Sequence, residues 1–156
     1  MQRYCYFFHL LHTYVTETDA LGDEIRETKE LGVYSSLRKA KEAMERFRPL
    51  SGFCLYPDGF ILQKIRCSLT LCPSKGVVTT VYMPYHERYL PESDCDYVTR
   101  GGLHDTAESA QRELLSWQRD PGFVWCEEGT NILEYTVDED SRFWCEGFTK
   151  GDKDIP

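Results

Sequence analysis

The sequence predicts an α+β fold of the ferredoxin-like type, βαββαβ, arising from an internal duplication, with two helices on one face of a four-stranded sheet. Three observations predict it. Gly52-Phe53 recurs as Gly122-Phe123 and Gly59 as Gly129, all 70 residues on. The apolar stripe Leu37, Ala40, Met44 and Phe47 recurs at the same offset as Ala107, Ala110, Leu114 and Trp117, with the spacing of a helix lying on a sheet. Strand-like runs flank both stripes.

In chain order, the first strand of each half is carried by Phe7, Phe8, Leu11 and His12, matched at offset 70 by Val77, Val78, Val81 and Tyr82. The segments Val15 to Leu31 and Glu87 to Gly101 then read as loops of about 15 residues, long for a compact α/β unit, with an extra short strand near Lys29 to Val33. Ser35 or Ser36 caps the first helix. Asp105, with Glu108 three residues on, forms a capping box for the second. Pro49 and Pro121 stop the helices, because proline lacks an N–H and its ring clashes with the preceding turn. The glycines of Gly52-Phe53 and Gly122-Phe123 allow a positive φ, and each phenylalanine folds back as a plug under its helix. Phe60 to Cys67 and Thr130 to Val137 are the closing strands. Asp138-Glu139-Asp140 makes a polar turn, solvated and part of an acidic field, and Phe143 to Phe148 packs back as an edge strand.

A half of this size exposes one side of its helix and sheet when alone. Residues 1–150 are therefore expected to form one integrated domain of two repeats, 4–67 and 77–148, with 151–156 a frayed charged tail. The 156 residues, 41% apolar and 28% charged, are enough to build a core without a metal or disulfide staple. No apolar run approaches the roughly 18 residues that cross a bilayer, and the start has no signal-peptide pattern, so a cytoplasmic location is expected.

The net charge of -8 is unevenly placed. Residues 1–75 carry 11 basic and 9 acidic side chains, against 7 and 17 in residues 76–156. Such a field repels phosphate backbones and steers a basic partner to the second half. Nucleic-acid binding is disfavoured, despite the basic cluster Arg38, Lys39, Lys41, Arg46 and Arg48. Seven cysteines, with no Cys-x-x-Cys pair and Cys67-x4-Cys72 as the closest spacing, read as reduced thiols rather than a disulfide frame or zinc site.

The sequence shows no phosphate-cradling motif around Gly101-Gly102, no calcium-loop spacing among the acids and no metal-ligand pattern, so no metal and no cofactor are expected. His9 and His12 are three apart and so point to opposite faces of a strand. His86-Glu87 with Asp94-Cys95 is the best polar constellation, since a loop could set His86 beside the Cys95 thiol. At offset 70 the first half has Thr16 and Ile25 at those places. Tyrosine and tryptophan combine apolar area with a polar tip and suit recognition. Tyr82, Tyr85 and Tyr89, with Glu87, Glu92, Asp94 and Asp96, are therefore the expected partner-binding patch.

The run Leu31-Gly32-Val33-Tyr34-Ser35-Ser36, a helix, Gly52-Phe53, Pro57-x-Gly59-Phe60 and Trp144-x-Glu146-Gly147-Phe148 resembles a family of small, largely uncharacterised bacterial domains that usually occur in single copy. Here the pattern looks duplicated over about residues 4–148, the first copy keeping the opening and the second the closing motif. The second opens instead with Gly102-Leu103-His104-Asp105. The resemblance implies an immunity protein that neutralises a toxin. With the acidic second half, it makes the leading expectation a non-enzymatic protein-binding module that engages a basic toxin. The alternatives are a small enzyme or ligand binder using His86 and Cys95, and a homodimer pairing exposed sheet edges.

Overall fold

The computed structural model describes residues 3–70, 77–92 and 94–149, with the backbone alone at position 95. The expected tail 151–156 and Cys72 lie outside the described residues. The strands are β1 (Arg3–Thr18), β2 (Glu24–Tyr34), β3 (Phe60–Leu69), β4 (Thr80–Leu90), β5 (Cys95–Arg100), β6 (Leu103–His104) and β7 (Thr130–Thr136). The helices are α1 (Leu37–Phe47) and α2 (Ala107–Arg119).

The four-stranded ferredoxin-like arrangement is corrected. The strands hydrogen-bond in the order β2-β1-β3-β6-β4-β5, with β7 on β4, a seven-stranded sheet reached by the element order ββαβ followed by βββαβ. The segments expected as loops are hairpin arms. β2 pairs antiparallel with β1, and β5 with β4, so the expected short strand at Lys29 to Val33 is part of an eleven-residue one. The first hairpin turns at Asp19, whose Oδ1 accepts the Leu21 and Asp23 N–H groups, and at Gly22, which takes φ +89°.

The chain divides into two compact units. One comprises Phe8–Lys64 with Asp138–Pro156, the other Met1–Phe7 with Ile65–Val137. In the first, α1 starts at Ser36, whose Oγ accepts the Lys39 N–H at 3.2 Å. Its buried face is Ala40, Ala43 and Phe47, whereas Leu37, expected in the stripe, is exposed. These pack with Leu10, Leu31, Tyr34 and Phe53. Each fully buried side chain of this size contributes about 1.5–3 kcal/mol. Gly52 takes φ +82° and Phe53 lies buried beneath α1, 5.4 Å from the Phe47 ring.

The segment after β7 belongs to this first unit. It forms no edge strand: Phe143 is exposed, and Trp144 to Phe148 runs through turns until Phe148 enters the core. The Phe148 N–H donates to the Ser51 carbonyl at 2.8 Å. Both segments approach through glycine. A Cβ on Gly52 would lie 2.5 Å from the Phe148 oxygen, and one on Gly147, at φ +82°, 2.2 Å from the Ser51 oxygen.

The acidic turn is likewise not merely solvated. Asp138 accepts the Ser35 N–H at 2.7 Å and pairs with Lys39 at 2.6 Å, while Asp140 accepts from the Tyr34 hydroxyl at 2.6 Å and pairs with Arg46 at 2.7 Å. The Asp138 and Ser141 N–H groups bond the Val33 and Leu31 carbonyls of β2. Burial pushes both aspartates up, but the bonds from Lys39 and Ser35 at Asp138, and from Arg46 and Tyr34 at Asp140, outweigh it and hold both carboxyls below the usual range.

In the second unit, Leu103, Val81 and Met83 are buried with Ala110 and Leu114 of α2. The cap is Thr106, whose Oγ1 accepts the Ser109 N–H at 3.2 Å. Asp105, expected as the cap, instead accepts from Thr70 N–H and Oγ1. Trp117 is half-buried, 5.8 Å from Phe123, and Gly122 has no positive φ, so this turn differs from that at Gly52.

The helices begin 70 residues apart, at Leu37 and Ala107, but the first strands do not follow that offset. Phe8 pairs with Tyr34 as Tyr82 pairs with His104, an offset of 74. The second hairpin is four residues shorter, so the expected match of Phe8 with Val78 and His12 with Tyr82 is corrected to Phe8 with Tyr82 and His12 with His86.

Candidate partner-binding cleft

The β4–β5 hairpin carries the polar side chains singled out in the sequence. Residues two apart on a strand share a face, so Tyr85, Glu87 and Tyr89 lie together, with Arg100, Val98 and Asp96 opposite them on β5. On the other side of β4 runs the segment leading into β7. There Gly129 approaches so closely that a Cβ would lie 1.7 Å from the Glu87 carbonyl oxygen. Between hairpin and segment is a cleft of about 370 Å³, lined by Tyr85, Glu87, Arg88, Tyr89, Asp96 and Glu128 among others.

Its polar groups are held in place. The Tyr85 hydroxyl donates to Glu87, the Tyr89 hydroxyl to Asp94, and the Trp125 indole N–H to Glu127 at 2.7 Å. The guanidiniums are held over rings, Arg88 5.3 Å from Tyr97 and Arg100 5.7 Å from Tyr85. Behind the cleft wall, fully buried His86 accepts the Cys126 N–H on Nε2 at 2.9 Å and lies 4.8 Å from the Phe123 ring. Desolvation pushes the imidazole pKa down, so His86 is a neutral anchor for the segment.

Of the seven residues expected in the patch, Tyr85, Glu87, Tyr89 and Asp96 line the cleft. Glu92 and Asp94 are exposed at the hairpin tip, and Tyr82, an odd number of residues from Tyr85, lies on the other face of β4. Cys95 is opposite Leu90, whereas His86 is opposite Thr99. Four residues of strand, about 13 Å, separate their levels, and the hairpin does not bring them together. The expected patch leaves out Glu128 and Gly129, because only the backbone approach to Glu87 makes them part of the cleft.

A second polar cluster, in the first unit, is centred on Lys29, a residue absent from the expected patch. It is 3% exposed, ion-paired with Glu27, and its Nζ lies 4.4 Å from the Trp144 ring centroid, 4.3 Å from that of Phe148 and 5.1 Å from that of Tyr14. A cleft of about 600 Å³ adjoins it. Burial pushes Glu27 up, but hydrogen bonds from Lys29 and Tyr14 hold its carboxyl below the usual range. Lys29 itself fills the aromatic cage, so the cluster reads as an internal ion pair that seats the closing Trp144 to Phe148 segment. His9 meets the Glu30 carboxylate and His12 faces Tyr56, so those two histidines belong to separate clusters.

Among the described residues there is no group of three or more His, Cys, Asp or Glu side chains placed to hold a metal ion, and no helix is long and apolar enough to cross a membrane. Compared with known proteins, the chain matches no family model, no curated protein and no solved structure, and the immunity role implied by the resemblance draws no support from them.

Proposed function

We propose that this chain is a protein-binding module whose β4–β5 cleft takes a basic segment of a partner protein. The observation that carries this reading is the cleft lining. Glu87, Asp96 and Glu128 stand around Tyr85 and Tyr89, and Glu92, Asp94 and Glu127 extend the negative surface around it. A guanidinium or ammonium entering there gains carboxylate acceptors and a tyrosine face together. Each exposed pair contributes only about 0.2–1 kcal/mol, so the acids supply steering and orientation, and the tyrosines supply the buried area that gives affinity.

Titration of the ¹⁵N-labelled chain with a short arginine-rich peptide tests this. Shifts are expected at residues 85–98 and 126–131, weakening with salt and lost in the triple reversal Glu87→Lys, Asp96→Lys, Glu128→Lys. Equal binding of a neutral peptide, or shifts centred elsewhere, would remove the assignment.

A further inference from the structure

The second unit holds a three-residue relay distinct from the cleft. Ser109 Oγ lies 2.7 Å from His104 Nδ1, and His104 Nε2 lies 2.5 Å from Glu113 Oε2. An ionised carboxylate only accepts, so Nε2 carries the proton donated to Glu113 and Nδ1 is left as the acceptor for the Ser109 O–H. That direction is the one nucleophile activation requires: hydroxyl to imidazole, imidazole oriented by an acid.

The arrangement is seated from several sides. Glu113 Oε1 accepts the Gly102 N–H at 3.3 Å, and a Cβ on Gly101 would lie 2.6 Å from that same oxygen, so the glycine pair makes room for the carboxylate. Ser109 sits in the first turn of α2 with its own N–H tied to Thr106. The Ala107 and Glu108 N–H groups precede it in that turn, where no intrahelical acceptor exists. Ser109 is 8% exposed and His104 7%, which keeps most water away and limits access to a slender electrophile.

The fold does not need this wiring. At the same 70-residue offset as the helix starts, the first unit has Tyr34, Lys39 and Ala43. Tyr34 and Lys39 bond Asp140 and Asp138, and Ala43 is packed in the core. A helix with the same start and cap spacing thus forms without a serine, a histidine or an acid at these places.

We propose that Ser109 is a nucleophile that takes an acyl group from a small ester, with His104 as general base and Glu113 as the group that orients it. Ser109 Oγ forms the bond to the acyl carbon as its proton passes to His104 Nδ1. The ester C–O bond then breaks, and the leaving alkoxide takes that proton. Water attacks the acyl-serine with His104 again as base, releasing the acid and restoring the hydroxyl.

The full chain treated with an alkyl fluorophosphonate tests this without knowledge of the ester. Oγ–P bond formation expels fluoride and leaves one phosphonyl group on Ser109, read by intact mass and peptide mapping. The expected result is a single adduct on Ser109 in the folded protein, none in denaturing urea, none in Ser109→Ala, and labelling slowed by at least about tenfold in His104→Gln and Glu113→Gln. Absence of an adduct on Ser109 in the wild-type chain overturns the proposal. Labelling at Ser109 that survives urea, or that is unchanged in both folded variants, overturns it as well.

Discussion

His12 and His86 occupy equivalent places in the two units. Each is fully buried and lies edge-on to a phenylalanine, Phe53 at 4.9 Å and Phe123 at 4.8 Å. Each bonds through Nε2 to the backbone three residues after that phenylalanine. The bonds run in opposite directions: His12 donates to the Tyr56 carbonyl, whereas His86 accepts the Cys126 N–H, both at 2.9 Å. In each, Nδ1 is buried with no hydrogen-bond partner among the described residues. Desolvation lowers both pKa values, helped by Lys29 at His12 and Arg88 at His86. The unfolded chain therefore binds these protons more tightly. Stability is complete above about pH 6.5 and falls as pH drops below it, toward the folded pKa values, by at most about 1.4 kcal/mol per unit for each group. Denaturant melts at pH 7 and pH 5 are expected to show this loss, and His12→Gln with His86→Gln to flatten it. An unchanged slope in a folded double variant would place the acid sensitivity in other groups.

The docking of Phe148 depends on two bare α-carbons. Gly147→Ala forces a Cβ to 2.2 Å from the Ser51 oxygen at a positive φ, and Gly52→Ala one to 2.5 Å from the Phe148 oxygen. Gly22→Ala serves as control, since its φ is +89° with none of the described residues within 4 Å of an added Cβ. The control is expected to cost about 1 kcal/mol for backbone strain alone and the other two at least twice that. Urea denaturation measures the difference, and Trp144 fluorescence reports whether the segment has left its place. Equal costs at all three positions would mean that Phe148 does not dock there.

Helix extents were the most legible part of the fold, because Ser36 stands directly before the first apolar stripe and Pro49 and Pro121 follow the helices, although the second cap is Thr106 and not the expected Asp105, which bonds Thr70 instead. The hairpin arms were not. Glu24 to Thr28 is largely exposed, and its charges give no apolar face by which an alternating pattern declares a strand. The four-residue difference between hairpins then hid the kinship of His12 with His86, since a constant offset pairs His86 with Thr16. Adjacency in the chain also misleads for Trp144 to Phe148, which follows β7 yet packs with Tyr14 and Phe53. In the cleft, the alternation of Tyr85, Glu87 and Tyr89 is local and readable, but Glu128 joins them only through a backbone approach at Gly129.

The Tyr34–Asp140–Arg46 contact ties the end of β2 and the last turn of α1 to the acidic turn after β7. Tyr34 is buried, and burial together with the Asp140 carboxylate raises its phenol pKa. Because Asp140 has a folded pKa below its unfolded value of about 3.9, its contribution is present above that pH and is lost as pH falls through the folded value. Tyr34→Phe and Asp140→Asn are each expected to cost about 1–2 kcal/mol at pH 7, the range for a hydrogen bond to a charged group with a half-exposed partner. The cost of Asp140→Asn is expected to vanish toward pH 2. A pH-independent cost, measured by denaturation at both values, would show that shape rather than charge is what the position supplies.

Lys29 gives the sharpest test of how the first unit closes. Its ammonium is almost wholly withdrawn from water, and among the described residues only Glu27 is ion-paired with it, so the three rings around it carry part of the compensation. Lys29→Met keeps the length of the stem and removes the charge. Replacing both ions of a buried pair by apolar groups is often neutral, but here the other ion stays. Glu27 is about half-exposed and can recover water, which limits its penalty. The main loss is then the cation–ring attraction and one charged hydrogen bond, about 1–3 kcal/mol. Lys29→Met should also raise the Glu27 pKa toward its ordinary value and change Trp144 emission, because the lysine that faces that ring is gone. Carboxyl titration followed by NMR reads the first effect and fluorescence the second. A methionine variant that is as stable as the parent, with Glu27 still depressed, would show that Tyr14 alone holds the carboxylate and that the rings do not rely on the ammonium for their packing.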